Sequence, residues 1–274
     1  MSSNPVLIAQ NLRKEYPTGS GPVLAVDGVS FELAANESLA IVGESGSGKT
    51  TVAKMLVGLE SLSGGELSVL GSPRQRIPRS SAGRRRWAGE MQYVFQDPYS
   101  SLNARARIGA TITTSLSLHA SDKPSAAVLK TRAVELMNQV GLPEKFYDYF
   151  PHQLSGGQRQ RVAIARALAA NPRVLVLDEA VAALDVSIQA QIINLLNEIR
   201  DQREISYIFI THDLAVVRQI ADRVLVMENG VVVDQGLTDQ LLDAPTHPYT
   251  RALRAAVPGP GWKPRRRSEL AQVS

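Results

Sequence analysis

The chain has 274 residues, 44% hydrophobic and 20% charged, and its 30 basic against 26 acidic residues leave a net charge of +4. This is ordinary for a globular protein able to bury a substantial core, in one large domain or two small ones. There is no cysteine, which excludes disulfides, thiolate metal sites, cysteine nucleophiles and cysteine-held iron–sulfur clusters. No apolar run approaches the roughly 18 residues of a membrane span. The start, Met1-Ser2-Ser3-Asn4-Pro5, lacks the basic and apolar regions of a secretory leader, so a cytosolic protein is expected. Arg84-Arg85-Arg86 and Arg265-Arg266-Arg267 are dense basic runs, but neither is interleaved with a ladder of stacking aromatics. They point to solvated, lipid-facing or partner-facing surface rather than to nucleic acid.

In chain order, residues 6–11 and Val23–Leu33 are rich in Val, Leu, Ile and Phe with partial alternation, and read as paired antiparallel strands. Tyr16 lies in the turn-like stretch between them, either as a packed loop aromatic or as a platform for a base ring. Residues 39–42 form a buried strand, and residues 51–59 carry apolar residues at helical spacing. Gly64-Gly65 opens a short strand over 66–70. Residues 71–90, rich in Pro, Arg, Ser and Gly, read as a surface loop. Gln92-Tyr93-Val94-Phe95 is the next strand, ending at Gln96-Asp97-Pro98. From about residue 100 to 170 the pattern is helical, clearest over 126–140, and Gly141 then Pro143 stop that helix. The α/β pattern resumes with the apolar run 174–177, a helix over 187–200, the strand Ser206–Ile210 and a helix over 213–220. Asn229-Gly230 joins two Val-rich strands as a hairpin, residues 238–243 form a short helix, and a proline-bearing tail ends unstructured. A helical insertion within an α/β domain is expected.

Between the strand at 39–42 and the helix after it lies Gly43-Glu44-Ser45-Gly46-Ser47-Gly48-Lys49-Thr50, which matches the phosphate-cradling pattern G-x-x-x-x-G-K-[ST] at every fixed position. Its glycines let successive N–H groups point at phosphate oxygens. The helix N-terminus adds donors and dipole, with Thr51 following in its first turn. Lys49 is the charge for the β- and γ-phosphates, and the Thr50 hydroxyl suits Mg²⁺. Asp178-Glu179 ends the apolar run 174–177, where ligands of a parallel sheet bind. There Asp178 is suited to Mg²⁺ and Glu179 to orienting or deprotonating an attacking water. Gln96, also at a strand end, can supply an oxygen to Mg²⁺ or to that water, and His212 can contact the γ-phosphate. Leu154-Ser155-Gly156-Gly157-Gln158 precedes an Arg-rich helix and makes a second anion-binding end. One nucleotide does not easily need both ends from the same molecule, so they are expected to meet across a dimer interface.

The ordered set of the loop 43–50, Gln96, the motif 154–158, residues 174–179, Ala183-Leu184-Asp185 and His212 resembles an ABC-transporter ATP-binding subunit, over about residues 6–243. The resemblance implies a P-loop NTPase fold of the ABC ATPase type, with an antiparallel β subdomain and an inserted α-helical subdomain. It divides the chain into an ATP-binding domain over 1–243, with its α/β core at about 1–96 and 171–243 and its helical subdomain at about 97–170, and a C-terminal extension over 244–274. It implies two such subunits, self or sibling, sandwiching two ATP molecules head to tail, each loop facing the partner's Ser155-Gly156-Gly157-Gln158. Tyr16 would then stack on adenine, Asp185 would lie in the loop crossing between subunits, and His212 would be the switch histidine. The implied partners are two transmembrane permease subunits and, indirectly, an extracytoplasmic solute-binding protein, with no nucleic acid. The implied location is peripheral, on the cytoplasmic face of the inner membrane.

Phe95-Gln96-Asp97-Pro98-Tyr99-Ser100-Ser101-Leu102-Asn103, Leu184-Asp185-Val186-Ser187-Ile188-Gln189-Ala190-Gln191 and Pro245-Thr246-His247-Pro248-Tyr249-Thr250-Arg251 are similar to segments of the oligopeptide and dipeptide importers, a group that also includes nickel and glutathione importers. The chain departs from that group at Ala180 and Ala182, where Pro and Ser are usual. Loss of the Ser hydroxyl bears on one cross-subunit hydrogen bond, worth about 1 kcal/mol. The alternative, a soluble ABC ATPase acting on nucleic acid or ribosomes, usually carries tandem cassettes or long inserted arms, which this chain lacks.

Overall fold

Two sheets stacked on either side of one helix organise the computed structural model, which describes residues 5–19 and 21–256. Strands β1 (Leu7–Tyr16) and β2 (Val23–Leu33) pair antiparallel, and β3 (Ser38–Val42) leads into helix α1 (Lys49–Leu56). Then come β4 (Gly64–Val69), β5 (Ser72–Pro73), α2 (Ser81–Glu90) and β6 (Met91–Val94). The helical block holds α3 (Pro98–Ser101), α4 (Ile108–His119), α5 (Ala126–Gln139) and α6 (Gly156–Leu168). After it come β7 (Val174–Asp178), α7 (Val186–Arg203), β8 (Ser206–Ile210), α8 (Leu214–Ile220), β9 (Arg223–Glu228), β10 (Val231–Leu237), α9 (Thr238–Asp243) and α10 (Pro248–Ala256).

The larger sheet runs β10-β9-β3-β8-β7-β6, parallel except for the β9–β10 hairpin, and the smaller runs β2-β1-β4-β5, antiparallel throughout. The central strands of the larger sheet, SLAIV, VLVLD and SYIFI, are buried along their whole length, as their mainly apolar sequences lead one to expect of strands covered on both faces. Alternation still sorts them by face. Leu39, Ile41, Val174, Val176, Ile208 and Ile210 join α1 and the smaller sheet in one cluster. Leu175, Leu177, Tyr207 and Phe209 on the opposite face meet the helical block and α7. Ala40, Val42, Val224 and Val226 meet α8 and α9. The strand ends that carry the functional side chains are therefore fixed from both sides.

Four stretches differ from the expectation. β1 runs on to Tyr16 rather than ending near Asn11, because Asn11 takes φ 48 and the register shifts between Ala9 and Leu12. That is a bulge, at a residue type that tolerates the left-handed region. Tyr16 thus closes a strand, paired with Val23, rather than lying in a turn. Residues 71–90 are not a plain loop, since β5 and α2 form within them. Ser80 caps α2 by accepting from Gly83 N–H at 3.1 Å, the Arg74 guanidinium lies 4.4 Å over the Trp87 ring, and Arg74 also pairs with Glu90. Residues 248–256 of the tail are helical, while the expected unstructured end from residue 257 lies outside the described residues, as does Arg265-Arg266-Arg267. Helix α1 stops at residue 56 because Gly58 takes φ +75. Leu59 N–H then donates to Lys54 O at 2.9 Å and Gly58 N–H to Met55 O at 3.1 Å, the two bonds of a Schellman end.

Candidate functional site

The loop between β3 and α1 is wrapped around the Lys49 ammonium, which donates to Gly43 O at 2.8 Å, Glu44 O at 2.6 Å and Ser47 Oγ at 3.3 Å. Its turn is closed by Ser47 N–H on Glu44 O at 3.2 Å. The β9–β10 hairpin backs it, with Gly230 N–H donating to Ser47 O at 3.1 Å. Only glycine fits at 43, since its φ is +153 and a Cβ there would stand 2.1 Å from Met227 O. Burial pushes the Lys49 pKa below the ordinary lysine value, against the pull of Glu179, Asp178 and Glu44 nearby. Glu44, Ser45 and Gly46 form the exposed rim of the loop, Ser47 and Lys49 are buried, Thr50 is exposed and Thr51 half-buried.

At the end of β7, Asp178 is 4% exposed. Its Oδ1 accepts from Thr50 Oγ1 at 3.3 Å and its Oδ2 from the Tyr93 hydroxyl at 2.5 Å. Burial raises the pKa of this carboxyl, the two hydrogen bonds oppose the rise, and neighbouring Glu179 adds to it. Tyr93 was not among the sequence candidates. Its phenol is buried beside the carboxylate, and burial first, then the bond to Asp178, push its pKa up. A tyrosine in an apolar strand next to a strand ending in an acid is the signal that could have found it, because a buried hydroxyl needs a partner.

Glu179, one residue on, sits at φ 46 with its N–H on Ile210 O at 2.9 Å. A left-handed glutamate is uncommon and is held here by the end of β8. Its Oε2 accepts from Gln96 Nε2 at 2.7 Å, and its Oε1 lies 3.2 Å from His212 Nδ1. The ends of β6, β7 and β8 thus bring Gln96, Glu179 and His212 into one cluster, adjacent to Asp178, Thr50 and Lys49. Asp178, the Thr50 hydroxyl and the Gln96 amide are hard oxygen donors of the type Mg²⁺ takes, and a magnesium bound to phosphates needs few protein ligands. Among the described residues no group of three or more His, Cys, Asp or Glu is placed to hold a metal.

Ser155 caps α6 in a full capping box: its Oγ accepts from Gln158 N–H at 3.3 Å, and Gln158 Oε1 accepts from Ser155 N–H at 2.9 Å. Gly156 and Gly157 let this helix end press against the start of α7, where a Cβ on Gly157 would stand 2.6 Å from Ile188 Cγ2. Asp185 is exposed at the N-cap of α7, without a side-chain cap bond. A cavity of about 130 Å³ lies between this end and the segment after β6, lined by Gln96, Asp97, Tyr99, Gly156, Arg159 and Leu184. Among the described residues no hydrogen bond joins residues 154–158 to the loop 43–50. Tyr16 is half-buried, with the Lys14 ammonium 4.8 Å over its ring.

A glycine-rich loop feeding a helix from the centre of a parallel sheet, with two acids at the end of another strand, defines a phosphate-loop nucleoside-triphosphate-binding protein. The match extends to one family. The family model described as ABC transporter matches residues 26–182, and the chain belongs to the ABC transporter family. It is 44% identical over 263 residues to a dipeptide transport ATP-binding protein of Haemophilus influenzae, covering 93% of this chain and 79% of that one. It is 49% identical over 246 residues to a putative peptide import ATP-binding protein of Brucella abortus, covering 88% and 72%. Its fold superposes with TM-score 0.78, at 28% identity, on an ATP-binding cassette solved as a dimer in a post-hydrolysis state with ADP and phosphate, covering 85% of this chain and 98% of that one. The ABC ATPase architecture expected from the sequence is the one observed.

Proposed function

We propose that this chain is the ATP-binding and ATP-hydrolysing subunit of an ABC importer for di- or oligopeptides. The observation that carries the hydrolytic part is the cluster of Gln96, Glu179 and His212 beside Asp178 and the Lys49 loop. The substrate class is supported by the two peptide-transport relatives.

In this reading Gly43, Glu44, Ser45, Gly46, Ser47, Gly48, Lys49, Thr50 and Thr51 bind the phosphates, and Tyr16 stacks on the adenine. Thr50, Asp178 and Gln96 hold Mg²⁺, which neutralises phosphate charge when bound. Glu179 orients and deprotonates the attacking water. His212, already beside the same carboxylate, steadies it and meets the γ-phosphate. Ser155, Gly156, Gly157 and Gln158 close over the nucleotide of a second ATP-binding subunit, with Asp185 in the crossing loop. That dimer rides on two permease subunits at the cytoplasmic face of the membrane. No helix among the described residues is long and apolar enough to cross a membrane, which fits transport through separate subunits. Because closed and open dimers bind nucleotide differently, binding and release of ATP can do work on the permeases.

The test is growth of a strain lacking this gene, and auxotrophic for one amino acid, on a dipeptide that supplies it. Wild-type chain should restore peptide uptake and Glu179→Gln should not. Uptake that is normal without the gene, or restored by Glu179→Gln, would sink the peptide-import reading.

A further inference from the structure

Helix α10 is seated by contacts that the proposed function does not use. Thr250 is 1% exposed, and its Oγ1 donates to Asp234 Oδ2 on β10 at 2.7 Å. Tyr249 and Leu253 pack on the cluster formed by β3, β9, α8 and α9, and Arg254 Nη1 donates to Asp243 O at 2.8 Å. From this seat the Tyr249 hydroxyl accepts a hydrogen bond at 3.1 Å from the N–H of Glu44, the second residue of the phosphate loop. The Glu44 residue is thereby held at both ends, its N–H by Tyr249 and its carbonyl by Lys49. A lysine that reaches for a phosphate gives up its bonds to loop carbonyls. The tyrosine bond does not depend on that lysine and can keep the Glu44 peptide in frame.

We propose that Tyr249 is a positioning residue for the phosphate loop, and that through it the C-terminal helix and the nucleotide site are coupled. The proposal rests on the reading of this loop as the ATP site. Coupling is reciprocal: if the docked helix favours bound nucleotide, bound nucleotide favours the docked helix by the same factor. A partner that displaced residues 248–256 would then weaken nucleotide binding, and nucleotide would hold that partner off.

The full-length chain and its Tyr249→Phe variant, which keeps the ring and removes the acceptor, are titrated with Mg-ATP by calorimetry. Hydrogen exchange over residues 248–256 is followed with and without Mg-ATP. The variant should bind Mg-ATP about three- to tenfold more weakly, the range of one lost hydrogen bond, while its melting temperature stays close to that of wild type. Mg-ATP should slow exchange over residues 248–256 in wild type, and slow it less in the variant. A purely structural tyrosine would shift melting and leave the nucleotide dependence alone. Equal affinities, or exchange indifferent to Mg-ATP in wild type, overturn the coupling. A wild type that does not bind Mg-ATP overturns the nucleotide reading itself, and the coupling with it.

Discussion

The two acids at the end of β7 sit one residue apart in different surroundings. Asp178 is buried and satisfied by Tyr93 and Thr50, while Glu179 is turned outward by its left-handed backbone toward Gln96 and His212. The raised pKa of Asp178 means that the folded chain holds this proton more tightly than the unfolded chain does. The sign follows: stability from this group is greatest below the ordinary carboxylate range and falls as pH rises through the raised value. Asp178→Asn removes a buried charge and should therefore raise the melting temperature of the nucleotide-free chain, by about 2–4 °C per kcal/mol recovered, while ending Mg-dependent turnover. A scan at pH 7 showing the variant melting below wild type would mean that the charge is better compensated than its burial implies. Tyr93→Phe does the opposite, leaving one oxygen of a buried carboxylate without its donor. It should destabilise by about 1–3 kcal/mol in denaturant titration.

At the scale of elements, what was legible in the sequence was what periodicity and turn chemistry encode. The strand at 174–177 shows as an unbroken apolar run, that at 206–210 as a short β-rich segment, the β9–β10 hairpin as Asn229-Gly230, and α9 at its observed ends. Helix α2 was hidden because it has no buried residue, hence no apolar stripe, and its Arg84-Arg85-Arg86 reads as loop. The end of β1 was hidden by its bulge at Asn11, and α10 by the prolines around it. Of the site, Lys49, Thr50, Asp178, Glu179, Gln96 and His212 are legible from motif and strand-end position, and they stand together. Tyr93 and Tyr249 are not, because contacts 85 and 205 residues apart leave no local pattern. The strand–loop–helix unit is also sensitive to substitution. Gly43→Ala puts a methyl 2.1 Å from Met227 O at a strained φ. It should cost about 2 kcal/mol or more and lower Mg-ATP affinity, whereas an alanine tolerated in both respects would show that the hairpin behind the loop gives way easily.

For the whole molecule, the arrangement separates the two helix ends proposed to bind phosphate. The loop 43–50 opens beside Asp178, and the capping box at Ser155 faces the start of α7, with no hydrogen bond between them among the described residues. In a head-to-tail dimer each site takes one end from each chain. A Lys49→Ala chain and a Ser155→Arg chain, each inactive alone, should then recover ATP turnover when mixed, because one of the two sites in the mixed dimer is intact. If the mixture stays inactive while wild type alone is active at the same concentration, both ends belong to one chain.

The most direct measurement is ATP turnover and Mg-ATP affinity of wild type beside Glu179→Gln, over a range of chain concentrations. Glu179 accepts from Gln96 and lies beside His212, so the amide keeps the shape of the cluster and removes only the proposed base. Turnover should fall about a hundredfold or more, the scale of a lost general base, with Mg-ATP affinity kept and the ATP-bound dimer accumulating. A Glu179→Gln chain that hydrolyses ATP at the wild-type rate would contradict the assignment of this cluster as the hydrolytic centre.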